Sequence, residues 1–175
     1  MKQPPAHAFV WDILVRLTHW GVAGAVIANL FFTGRGDEDA THRILGMVAA
    51  GLVIIRLLWA MTLAKKPARL RDLVPTPGNA VHHLRDLQRG EETAEPGHNA
   101  LGLLAVWAMW FCIVGLAFTG YHANEYTDLA ERFSLDDWHE YLAKALLVLF
   151  ILHVSAVFLT SWRLKRNLVR PMIHK

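Results

Sequence analysis

The stretch Trp138-His-Glu-Tyr-Leu-Ala-Lys-Ala-Leu-Leu-Val-Leu-Phe-Ile-Leu-His153 carries a histidine near each end of an apolar run that continues to Trp162. Residues 142–162 approach the roughly 20 apolar residues that a helix needs to cross a hydrocarbon core. His139 and His153 are 14 residues apart, which is about 21 Å of rise on an α-helix. Fourteen steps of about 100° fall about 40° short of four full turns, so the two imidazoles share one face. One face of one helix therefore offers a nitrogen ligand near each side of a bilayer.

Three further apolar stretches of similar length precede this one, over residues 17–33, 44–63 and 99–121. With 54% hydrophobic residues and seven Trp, the chain is too apolar for an ordinary water-soluble domain. The fold expected is all-α and membrane-embedded: a four-transmembrane-helix bundle formed by residues 1–175 as a single domain. Cys112, the one cysteine, lies inside an apolar run, so no disulfide framework or cysteine zinc site is available. The segment before the first apolar run lacks a small-residue cleavage site, so the first helix reads as retained.

Charge sets the orientation. Thirteen of the 18 Lys and Arg fall in the N-terminal segment, in residues 64–97 and in the C-terminal tail. The 34–43 and 122–141 connections hold only Arg35, Arg43 and Arg132, against nine acidic residues. Basic residues near helix ends stay inside, so both termini are expected to be cytoplasmic. Because the cations flank spanning helices and form no surface stripe, nucleic acid is not the expected partner; membrane lipid is.

The connections are legible in outline. A short 34–41 loop makes the first two helices antiparallel neighbours, with Thr41 as the expected N-cap of the second. Residues 79–89 form an amphipathic pattern suited to the membrane surface. In the 122–137 connection, Tyr126, Leu129 and Phe133 recur at helical spacing, so part of it is expected to be helical.

Six of the ten histidines lie on or at the ends of the apolar stretches. With the topology above, His19, His98 and His153 share a cytoplasmic-side layer, while His42, His122 and His139 share an outer one. His7, His82, His83 and His174 fall in polar segments and read as solvated. His19 and His42 can supply the ligands facing His153 and His139. Ionisable groups are costly at membrane depth, and imidazole pairs at two levels of a bundle suit two bis-histidine haem irons. Interhelical hydrogen bonding or a proton path is the other use of such residues. Zinc would need more convergent ligands at each level. Arg56 lies 14 residues beyond His42 on the same face, where it either meets an inner haem propionate or snorkels to the interface beside Trp59. His42-x-x-Leu-Gly46 and His98-x-x-Leu-Gly102 echo each other; the glycines leave room beside the histidine for a flat macrocycle or allow close helix approach.

Together, Val10-Trp-Asp-Ile-Leu-Val-Arg-Leu-Thr-His-Trp20, His42-x-x-Leu-Gly46, Trp138-His-Glu140 and His153 resemble the bacterial cytochrome b561 and nickel–iron hydrogenase b-type cytochrome superfamily. The resemblance runs from about residue 9 to 166, and the histidine spacing of the last helix is also similar to that of formate dehydrogenase b subunits. It implies two b haems, each bis-histidine ligated, with His42 and His139 on the outer iron and His19 and His153 on the inner. His98 either replaces His19 or His153 or sits beside the inner haem or a quinone pocket, and His122 is a spare at the outer level. The function so implied is electron transfer between a periplasmic-side redox protein, such as a cytochrome c, and membrane quinone. The acidic outer connections suit a basic partner, and His98, Arg16 or Asp12 could handle quinone protons. Two other readings are a superoxide:quinone oxidoreductase, with Arg35, Arg43, Arg132 or Lys144 drawing in the anion, and a non-redox transporter or interaction protein.

Overall fold

The computed structural model describes residues 11–33, 40–65, 68–74, 100–125, 127–163, 165 and 167–173. Every regular element among them is helical: α1 (Ile13–Phe31), α2 (Ala40–Thr62), α3 (Leu70–Leu73), α4 (Ala100–Glu125), α5 (Thr127–Phe133), α6 (Leu135–Arg163) and a final 3-10 turn (Arg170–Met172). Four of these, α1, α2, α4 and α6, are long and apolar enough to cross a membrane. The all-α, four-span architecture expected from hydropathy is the one observed.

The helices run past the apolar stretches because hydropathy marks only the part buried in hydrocarbon, whereas caps and charges decide where a helix ends. Helix α1 starts at Ile13, not near residue 17, because the Asp12 carboxylate accepts from the Leu14 amide at 2.9 Å. Thr41 is not the N-cap of the second helix; α2 already includes Ala40. The largest shift is in α6, which begins seven residues before 142. Asp136 and Asp137 lie in its first turn, where they favour the positive end of the helix dipole. His139 is thereby carried one turn inside a rigid helix. The expected helicity of the 122–137 connection is observed as α5, parted from α6 by Ser134 at φ 49°.

Helix α1 packs along α2, α4 along α6, and α2 along α4, while α6 has no extended backbone packing against α1 or α2. The close α4–α6 approach needs Gly115: a Cβ there would lie 2.9 Å from Leu142 Cδ1. The main core is small-residue rich, with Ala25, Val26, Ala49, Ala50, Val53, Ile113 and Leu146. Large apolar side chains such as Phe111, Phe118, Phe158 and Trp162 point outward, as lipid-facing residues do.

Call the end where α1 passes into α2 the upper end. The lower end is closed by two short segments. Trp107 Nε1 donates to the Leu73 carbonyl at 2.7 Å, docking α3 beside Ala60 and Leu103. The C-terminal turn lies against the start of α1: Trp20 Nε1 donates to the Met172 carbonyl at 3.0 Å and Arg16 Nη1 to that of Ile173 at 3.2 Å. Asp12 and Arg16 thus make structural hydrogen bonds. The 79–89 pattern and His98 lie outside the described residues.

Candidate functional site

The helix register brings four of the sequence-predicted histidines together as two pairs. At the lower level, His19 of α1 faces His153 of α6 with ring centroids 6.4 Å apart. At the upper level, His42 of α2 faces His139 of α6 at 6.1 Å. Two imidazoles bound through nitrogen at about 2.0–2.1 Å on opposite sides of one first-row metal would have centroids roughly 6.3 Å apart, taking a ring radius of about 1.1 Å. Both pairs therefore stand at the separation that one shared metal requires, and α6 supplies a member of each. Between the upper pair is a cavity of about 290 Å³, largely apolar, to which all four spanning helices contribute. Gly46, Gly120 and Leu146 line it with the two histidines, and Arg43 is the charged residue on its wall.

The upper imidazoles are held in place. His42 Nδ1 lies 3.1 Å from Thr33 Oγ1, and the His42 carbonyl accepts from Asn29 Nδ2 at 3.0 Å. His139 Nδ1 lies 3.0 Å from Thr119 Oγ1. Gly120 makes room for the His139 ring, since a Cβ at 120 would sit 3.1 Å from its Cε1. Sequence reasoning missed Thr33, Thr119 and Gly120; the available signal for the threonines was a hydroxyl near the end of an apolar span, which does not say what it touches.

The other predicted residues divide. Arg56 is buried at 6% exposure, and its guanidinium donates to the Ala68 carbonyl at 3.4 Å. No carboxylate among the described residues lies within ion-pair distance of it. His122 belongs to neither pair: its Nδ1 donates to the Phe118 carbonyl at 2.9 Å and its ring packs on Phe118. Of the basic residues named for the outer face, Lys144 pairs with Glu140 at 2.5 Å and Arg132 lies over Phe133.

A bundle of four membrane-length helices with two facing imidazole pairs defines a multi-pass membrane protein with room for a cofactor between its helices. The model of the prokaryotic cytochrome b561 family matches residues 10–175, and the chain belongs to that family. With membership go b-type haem and electron transport in the membrane. No curated protein and no solved structure matches the chain. The residues present fit haem. Each level offers two opposed imidazoles and, among the described residues, no group of three or more ligands, which suits an iron whose other four ligands are porphyrin nitrogens.

Proposed function

We propose that the chain moves electrons across the bacterial inner membrane through two b-type haems, between a periplasmic-side redox protein such as a cytochrome c and membrane quinone. In this reading His42 and His139 hold the upper iron, and His19 and His153 the lower. The observation that carries it is the pair of imidazole spacings, 6.1 and 6.4 Å, at two depths of one bundle. Haem supplies reversible one-electron chemistry when bound, its iron passing between ferrous and ferric.

The protein's own residues bind, orient and compensate charge. With two imidazoles on each iron, no position would be left open for oxygen chemistry. Arg56 offers a buried cation to a lower-haem propionate. The upper end faces the periplasm, by the placement of Lys and Arg, and its acidic connections steer a basic partner. Quinone reacts at the lower, cytoplasmic level, where His98 belongs by topology.

The test is haem stoichiometry in purified His19→Ala, His42→Ala, His139→Ala and His153→Ala variants. Each is expected to lose one of two haems, with the members of a pair losing the same one. A full complement in His19→Ala or His153→Ala would hand that place to His98. A protein lacking any b-type α-band would end the proposal.

A superoxide:quinone oxidoreductase is the second reading, favoured by Arg43 on the wall of the upper cavity. It predicts rapid reduction by superoxide that Arg43→Ala abolishes. Family membership favours electron transfer over the non-redox transporter or interaction reading.

A further inference from the structure

Two threonines repeat one arrangement at the upper level. Thr33, just past the end of α1, donates its hydroxyl hydrogen to the Asn29 carbonyl at 3.1 Å and stands 3.1 Å from His42 Nδ1. Thr119 on α4 donates to the Gly115 carbonyl at 2.9 Å and stands 3.0 Å from His139 Nδ1. A hydroxyl has one hydrogen and two lone pairs. With the hydrogen directed to the carbonyl four residues back, only lone pairs face the ring. Nδ1 is therefore the donor in both contacts, which places the hydrogen on Nδ1 and the lone pair on Nε2. Each brace comes from the span before the ligand's own: Thr33 from just past the end of α1 for His42, and Thr119 from α4 for His139. The lower level is built differently, since His19 Nδ1 is buried with no hydrogen-bond partner among the described residues.

We propose that Thr33 and Thr119 are positioning residues for the upper haem, fixing His42 and His139 as Nε2 ligands and lowering that haem's reduction potential. The inference rests on the reading that these two histidines hold an iron. An acceptor on Nδ1–H makes the imidazole a stronger electron donor through Nε2, as outer partners of metal-bound histidines generally do. A stronger donor favours ferric over ferrous iron. The hydroxyls therefore hold the potential down, and removing them lets it rise.

The experiment uses the purified holoprotein and potentiometric titration of both haems, the upper one being identified as that lost in His42→Ala. Thr33→Val and Thr119→Val keep the side-chain shape and remove the hydroxyl. Each is expected to shift the ferric-to-ferrous balance of the upper haem by about tenfold towards ferrous, a rise of about 59 mV for one electron. The lower haem stays where it was, and Thr→Ser at either position restores the original value. An unmoved upper potential, a shift confined to the lower haem, or a Ser variant that behaves like Val overturns the inference.

If a Val variant takes up no haem, the unmodified protein decides. Electron–nuclear spectroscopy on ferric protein with nitrogen-15 histidine should find a hydrogen on the remote nitrogen of both upper ligands. A bare remote nitrogen on either overturns the assignment. If His42→Ala and His139→Ala retain both haems, the ligand reading has failed. If each loses one haem while the Val variants leave its potential unmoved, only the role given to the threonines has failed.

Discussion

Gly120 is the position at which a side chain would press on the upper histidine pair. A Cβ at that position would lie 3.1 Å from His139 Cε1 and 3.4 Å from Nδ1. The ring cannot retreat without leaving Thr119, 3.0 Å away on the same helix as the glycine. Gly120→Val, with two further methyls, is expected to remove the upper haem and spare the lower one at unchanged helix content. Haem quantitation beside circular dichroism checks this, and two retained haems would contradict it. On the proposed reading, Arg56 would act in the opposite electrical sense to the threonines. A guanidinium at 6% exposure with no carboxylate in ion-pair distance among the described residues is costly to bury, so a bound anion would complement it. A nearby cation favours the ferrous state. Arg56→Gln should lower the lower-haem potential, by about 59 mV for each tenfold change in that preference. A rise, or a shift in the upper haem, would place Arg56 away from the lower cofactor.

At the level of elements, stability is carried by caps and close helix contacts. Asp12→Ala removes the side-chain acceptor for the Leu14 amide, and a lost N-cap costs about 1 kcal/mol. Thermal unfolding in detergent should show that loss, with Asp12→Asn recovering most of it. Gly115→Val would drive a side chain into Leu142, 2.9 Å from the position of a Cβ, at a cost of about 1–3 kcal/mol. Leu142→Ala in the same chain should return part of it, because the two sites share one contact. What could be read in advance follows from which interactions are local. The four spans were legible because an apolar run records the thickness of its solvent, and the α6 histidines because a 14-residue step fixes a face. The helix ends were less so, since Asp12 and the acidic first turn of α6 extend the helices beyond their apolar cores. Thr33 and Thr119 each reach a histidine on another helix, and the contact between Trp20 and Met172 spans 152 positions. Neither kind of contact leaves a period in the chain.

In the molecule as a whole, the arrangement of the helices matches the placement of the paired histidines. Helix α6 packs on α4 and stands off α1 and α2, the two helices whose histidines face its own. One rigid element thus holds a histidine at each end of a gap, and its length sets the separation of the two levels at about 21 Å of helical rise. A hydrocarbon core of about 30 Å is too thick for a centre at one level to serve both faces. Both histidine pairs should then be needed in series. Sealed vesicles containing the protein and an entrapped ferricyanide, supplied with quinol outside, test this directly. The intact protein should bleach the entrapped dye. His42→Ala and His139→Ala should reduce the rate to that of empty vesicles, although quinol still reduces the lower haem in those molecules oriented towards it. His19→Ala and His153→Ala should stop both processes, since they remove the level at which quinol is expected to react. A variant without its upper pair that still bleached the dye would mean that electrons reach the far face without the upper level, and the two-level path would have to be abandoned even if both haems bind as proposed.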